Sequence, residues 1–493
     1  MNENILDLEP KALWRNFREL TLIPRPSKHE EAVTKFLLEF GKKNCDEAFI
    51  DPVGNVVFKK KASSIEMSNR KGILLQAHCD MVPQKDDCSN HNFITDPIET
   101  IVSGGYVSAN HTTLGGDDGI GVAAIMAIME DNTLKHGPLE ALITVDEETG
   151  MTGANGLEPN VLHSPIMINL DSEEDNIFYI GCAGGVNVHI ETDIDYSPVS
   201  AGYTPYDINL DGFLGGHSGS DIHKNRPNAI KLLFRMLWQA QKNFDIKICN
   251  AEGGNMRNAI PRSSKALILV NSNQTAAFES FAADFNAIIH SEYGKSDPDA
   301  KITAAKSSTL PTQYIADENA KKILFVANNI VSGVFAMCAD MPGLVETSNN
   351  LAIVKTDGGK FLMDNLLRSS SSTQSDYLCN IIRCMVEYIG GRIEFSGEYP
   401  GWKPNPDSEI LSTMRNIYVG MFNQQPQVTA IHAGLECGLI LSKYPEMDMI
   451  SVGPNTFNVH SPTEKIEIAS TQRFMKLLCE TIENAPIKGG LIA

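Results

Sequence analysis

At 493 residues the chain is too long for one ordinary core, and 42% hydrophobic against 21% charged residues excludes a disordered protein. A formal charge of −20 argues against nucleic acid or an anionic membrane as partner. The opening residues 1–9 lack the basic and apolar regions of a secretory leader, and no stretch approaches the ~20 apolar residues that span a bilayer. The ten cysteines form no Cys-x-x-Cys pair, which suits reduced thiols and a cytoplasmic enzyme.

In chain order, residues 10–22 carry helical apolar spacing, and Ser27-Lys-His-Glu30 reads as a capping box that opens a second helix through Phe36, Leu37 and Phe40. A short strand at 55–58 precedes an unbroken apolar run, 72–77, that ends in His78-Cys79-Asp80. Such a run predicts a buried parallel strand, whose carboxyl end is where open α/β sheets place their chemistry. Alternation points Cys79 to the side opposite His78 and Asp80, as packing. Asp117-Asp118-Gly-Ile-Gly121 opens a helix over 122–130. Strands at 139–145 and 166–170 end in Asp146-Glu147-Glu148 and Asp171. Alternating strands and helices predict an α/β domain with a mostly parallel sheet.

The pattern changes at the glycine-rich stretch 181–185. Polar and apolar residues alternate at 186–191 and 206–210, as in antiparallel strands, and helical stretches follow at 229–241 and 276–289. A second set of strands and helices fills 300–395. Past a proline-rich hinge near 399–406, helix is expected at 408–422, strand at 449–452 and a closing helix at 468–482. The resulting expectation is a discontinuous catalytic domain, 1–184 and 399–493, interrupted by an inserted α+β domain, 185–398.

His78, Asp80, Asp117 or Asp118, Glu147, Glu148, Asp171 and His460 are grouped as residues at strand ends. Singly, each reads as a solvated turn or a satisfied polar side chain. Jointly and in order, two imidazoles with several carboxylates suit zinc, or manganese and cobalt by substitution, and exceed the needs of one tetrahedral ion. They fit two metals sharing a carboxylate, with a bridging water as nucleophile. In a Glu-Glu pair one carboxylate can bind metal while its neighbour accepts a proton.

Longer motifs carry a resemblance. Gln76-Ala-His78-Cys-Asp80-Met-Val-Pro-Gln-Lys85, Thr113-Leu-Gly-Gly-Asp117-Asp-Gly-Ile-Gly121, Asn169-Leu-Asp171-Ser-Glu-Glu174, Gly215-Gly-His217-Ser-Gly219, Arg257-Asn258-Ala-Ile-Pro-Arg262, His432-Ala-Gly-Leu-Glu436-Cys-Gly438 and Tyr444-Pro-Glu-Met-Asp-Met449 run the length of the chain. The set resembles the aminoacyl-histidine dipeptidases of the cytosolic non-specific type, within the co-catalytic zinc exopeptidases that include peptidase T and carboxypeptidase G.

The resemblance implies a zinc-exopeptidase catalytic domain with an inserted lid that closes over substrate. His78, Asp117, Glu148, Asp171 and His460 would bind two divalent ions, zinc foremost, with Asp117 as the bridge. The family usually has a single acid where this chain has two, and Asp118 is assigned to capping the helix that follows. Asp80 would orient His78, and Glu147 would be the general base. In the lid, His217 would stabilise the tetrahedral oxyanion, Asn258 and Arg368 would bind substrate, and Glu436 joins that substrate group. The implied reaction is hydrolysis of unblocked dipeptides, Xaa-His and β-alanyl types such as carnosine among them, by a protein that forms a homodimer. An aminotripeptidase or amino-acid deacylase of the same family, and a silent binding protein that keeps the fold, are the alternatives.

Overall fold

The computed structural model describes residues 4–489; residues 1–3, part of the segment expected to lack a leader, lie outside these. The chain divides into two compact units. One takes the chain up to Gly181, Pro404–Ala430 and the chain from Leu435 onward, and the other takes Cys182–Lys403 with Ile431–Gly434.

The first unit is built on an eight-stranded sheet in the order Glu47–Ile50, Val56–Lys60, Leu139–Thr144, Ile73–His78, Ile166–Asn169, Asp448–Ser451, Ile177–Cys182, Gln427–Ile431. The four strands from Leu139–Thr144 to Asp448–Ser451 are parallel, while antiparallel strands extend the sheet beyond them. Every residue of Ile73–His78, Leu139–Thr144 and Ile166–Asn169 is buried, which is why these strands read as unbroken apolar runs. The crossover between Ile73–His78 and Leu139–Thr144 contains the helix Gly116–Glu130. That helix is apolar on all sides and buried from Gly119 to Met129, with Lys11–Thr21 packed on it. A second, four-stranded sheet joins Thr456–Phe457, Lys465–Glu467, Tyr106–Ala109 and Thr100–Ser103.

The second unit is organised on a nine-stranded sheet whose observed pairings are antiparallel. In Gly184–Asp193 buried residues alternate with partly exposed ones from Val186 on, the mark of a sheet covered on one face. The helices Ala229–Asn243, Thr275–Tyr293, Asp317–Asn329 and Ser372–Tyr388 contribute Phe234, Phe278, Leu324 and Ile382 to a core shared with Val188, Ile190 and Phe361 of the sheet. Among the described residues no helix is long and apolar enough to cross a membrane.

Candidate metal centre

The central parallel strands deliver their side chains to one edge. His78 ends its strand with only 1% of its side chain exposed, and its Nε2 lies 3.1 Å from Asp117 Oδ1 and 3.5 Å from Asp171 Oδ1. On the other side of Asp117, His460 Nε2 lies 3.1 Å from Oδ2 and 3.0 Å from Glu148 Oε2. One carboxylate thus shows a different oxygen to each of two imidazoles. The result is two overlapping donor groups, His78–Asp117–Asp171 and Asp117–Glu148–His460, with Glu147 grouped beside His78 and Glu148. Two nitrogen donors and three carboxylates that share one member fit a pair of divalent cations.

The electrostatics agree with that fit. Burial alone would lower the pKa of His78, but Asp171, Asp117 and Asp80 outweigh it and hold it well above the ordinary range. Hydrogen bonds that its ring donates to Asp117 and Glu148 raise the pKa of His460 to about 10. Burial, reinforced by Asp117 and Asp118, raises Asp171, and burial with Glu436, Glu148 and Asp117 raises Glu147. Carboxylates that repel one another in this way are relieved by a cation in their midst.

Asp80 supports the group from behind. It is wholly buried, and its Oδ1 lies 3.2 Å from His78 Nδ1, close enough for an ion pair though not aligned as a hydrogen bond. The same carboxylate accepts the backbone N–H of Glu147 at 3.0 Å and of Glu148 at 3.2 Å. Burial would raise its pKa, yet His78 and these donors bring it down to about 2. Cys79 is buried, and burial pushes its thiol up.

Two buried charges that the sequence did not single out hold the turn before Asp117. Glu464, 2% exposed, accepts the N–H groups of Leu114 and Gly115 on Oε2 and those of Gly116 and Asp117 on Oε1, at 2.6–3.3 Å. Arg25, also 2% exposed, donates to the carbonyls of Cys79, Asp80 and Gly115 at 2.9, 3.0 and 2.5 Å. Gly115 has φ +69, and a Cβ on Gly119 would come within 2.4 Å of Arg25 Nη2, so both glycines are required where they stand. Asp118 caps the helix, its Oδ1 accepting the Gly121 N–H at 3.1 Å.

Three expectations are corrected. His460 does not end a strand of the main sheet; it sits at φ +60 on the turn between Thr456–Phe457 and Lys465–Glu467, because the small sheet closes there. Glu436 is not placed to touch substrate. It is fully buried, accepting hydrogen bonds at 2.6 Å from Gln76 Nε2 and Thr144 Oγ1 on adjacent core strands, and burial raises its pKa to about 7. The capping box at Ser27 does not form: Ser27 Oγ donates to Asp80 Oδ2 at 2.8 Å, while Glu30 accepts the Lys28 and Asp146 N–H groups.

The second unit gathers its own polar group. His217 pairs with Ala259 between short strands, and the Ser218 N–H donates to the Asn258 carbonyl at 2.8 Å, leaving the Asn258 side chain exposed. Arg368, 5% exposed, reaches Ser218 Oγ at 3.5 Å and the Tyr399 hydroxyl at 3.1 Å. Burial and then Arg368 lower the pKa of His217. The same two causes bring His432, whose Nε2 lies 2.7 Å from Ser348 Oγ, down to about 3.

Comparison with known proteins follows the same lines. A sequence model of Peptidase family M20/M25/M40 matches residues 74–484. The chain is 37% identical over 481 residues, 98% of its length and 99% of the relative's, to the Cytosol non-specific dipeptidase of Escherichia coli K12. It superposes on the crystal structure of Aminoacylhistidine Dipeptidase from Vibrio alginolyticus with TM-score 0.94 and 38% identity, covering 99% of both chains. The aminopeptidase PepT of Bacillus cereus, at TM-score 0.56 and 14% identity over 97% of this chain and 99% of the other, shares the fold.

Proposed function

The chain belongs to peptidase family M20/M25/M40, and we propose that within it the protein is a metal-dependent dipeptidase acting on unblocked dipeptides, Xaa-His dipeptides among them. The observation that carries the reading is the two-faced Asp117, one oxygen toward His78 and the other toward His460. His78 with Asp171, and His460 with Glu148, would each hold one divalent cation, with Asp117 common to both. Zinc suits this set of imidazole and carboxylate donors best. Bound there, the cations would supply Lewis acidity toward the scissile carbonyl and make water acidic enough to give up the proton that its attack requires.

Glu147 is the proton carrier of this reading. Its backbone is held by Asp80, and its raised pKa fits a base that takes a proton from the attacking water and returns it to the departing amine. Arg368 would bind the substrate's carboxylate, His217 would stabilise the oxyanion as it develops, and Asn258 would add a hydrogen bond. The similarity to a relative named for the cytosol supports a cytoplasmic location. A homodimer remains part of the proposal.

Metal analysis and a panel of dipeptides, run on the parent and on Glu147→Gln, test it. The variant should keep its metal and lose turnover by about 10²–10⁴-fold or more, since the proton acceptor goes while the ligands stay. A parent inactive on every dipeptide with zinc, manganese or cobalt supplied would sink the proposal.

A further inference from the structure

A second mixed donor group stands apart from the one described: Asp86, Cys88 and His111, which offer a carboxylate oxygen, a thiol sulfur and an imidazole nitrogen within 4.8 Å of one another. The residues lie on two segments fastened side by side. The Asp86 N–H donates to the His111 carbonyl at 3.1 Å, Lys85 bridges to Thr112, and the Thr113 N–H donates to the Gln84 carbonyl at 2.8 Å. His111 takes a left-handed conformation, φ +58. Its Nδ1 lies 2.7 Å from Asp86 Oδ2 and 3.8 Å from Cys88 Sγ.

Which nitrogen is used decides between two chemistries. In a Cys–His–carboxylate catalytic triad the thiol and the carboxylate take opposite nitrogens of the ring. Here both converge on Nδ1, which suits three ligands around one cation. In tetrahedral zinc sites, bonds of about 2.0–2.3 Å put N···O and N···S edges at about 3.4 and about 3.6 Å. The sulfur is already near that spacing. The Asp86 oxygen, now hydrogen-bonded to the ring, has to withdraw by a fraction of an ångström, and with 45% of its side chain exposed it has room to do so.

We propose that Asp86, Cys88 and His111 form a further divalent-cation site, selective for zinc or a similar thiophilic ion, that fastens segment 84–88 to segment 110–113. A thiolate, an imidazole and one carboxylate match borderline-soft cations and disfavour calcium or magnesium. Binding releases the thiol proton to solvent and requires the ring to carry its hydrogen on Nε2. The two fastened segments continue to His78 and Asp80 in one direction and to Asp117 in the other, so the ion would brace the peptidase centre without taking part in it.

Cobalt reports on the sulfur directly. The peptidase donors are imidazoles and carboxylates, so only a site containing cysteine gives thiolate-to-cobalt charge-transfer absorption. Metal-free protein titrated with cobalt should develop that absorption. Cys88→Ser should abolish it and His111→Ala should abolish or sharply weaken it, while Cys384→Ser, at another exposed cysteine, should keep it. With saturating zinc, Cys88→Ser should bind one equivalent less than the parent and still hydrolyse dipeptides. Absence of the absorption in the parent, or its persistence unaltered in Cys88→Ser or His111→Ala, overturns the site. Loss of hydrolysis in Cys88→Ser would assign the sulfur to the peptidase centre and overturn its independence.

Discussion

The two units place histidines in opposite fields. In the first, His78 and His460 face Asp117, Asp171 and Glu148, and both imidazoles hold a proton far more tightly than usual. In the second, burial and then Arg368 act on His217 and His432, and both release it more readily. The same ring is therefore prepared for opposite guests. Rings among carboxylates exchange their proton for a divalent cation, whereas neutral rings beside a guanidinium suit a carboxylate or a developing oxyanion.

The first unit also contrasts its own two rings, and this gives the largest expected effect. His78 is 1% exposed, and its removal leaves Asp80 and Asp171 without their buried partner. In chelator-treated protein His78→Ala should cost about 3 kcal/mol, as breaking a buried ion pair does. His460 is 49% exposed, so solvent screens its ion pairs and His460→Ala should cost no more than about 1 kcal/mol. Urea unfolding at unchanged m measures both. Equal losses would erase the distinction between the ring on the strand and the ring on the turn.

The next effect belongs to the second unit. Below about pH 6.5 an unfolded imidazole takes up a proton that folded His432 refuses until about pH 3. Stability should therefore fall as pH drops through that window, by roughly 2.5 kcal/mol at about pH 4.5. His432→Gln should flatten this part of the profile relative to the parent, and an unchanged slope would mean the ring is already protonated in the fold. Arg368→Met comes after it. A lost charge-assisted hydrogen bond should raise KM for dipeptides about ten- to hundredfold. The variant should also treat a carboxy-amidated substrate like a free one, and a variant that still prefers the free carboxylate would put its binding elsewhere.

What the sequence made legible follows from how each part is built. Strands buried on both faces leave unbroken apolar runs, so Ile73–His78, Leu139–Thr144 and Ile166–Asn169 announce themselves, and with them His78 and Asp171. Thr456–Phe457 and Lys465–Glu467 are too short to carry a period, so the resemblance to the family, not the pattern, is what made His460 a ligand. Ser27 and Glu30 had the spacing of a capping box, but Asp80 and the Asp146 N–H compete for them from far along the chain. Glu436 sat in a recognisable motif whose chemistry is internal. Arg25 and Glu464 left no local signal, since a buried charge in a proline-containing turn reads as a solvated one until its partners are known.

Glu464 offers the smallest effect and the finest test of the contrast between the two rings. Its oxygens satisfy four consecutive N–H groups ahead of Asp117, and it follows His460 on the same turn. Glu464→Gln replaces one acceptor with a donor, so two of those N–H groups would meet an N–H instead of an oxygen, and the turn must shift. Asp117 then loses its aim toward His460, whose turn is anchored through the same side chain, while His78 and Asp171 remain on buried strands. Competition with a chelator should show about tenfold weaker binding of one cation, the scale of effect for groups that orient ligands. The other cation should stay within about twofold, because its strand-borne ligands are anchored independently. A purely structural glutamate would lower stability and leave both affinities alone. If both weakened equally, the turn would be aiming Asp117 at both rings, and the firmness of His78 would have to be traced to Glu464 as well as to its strand.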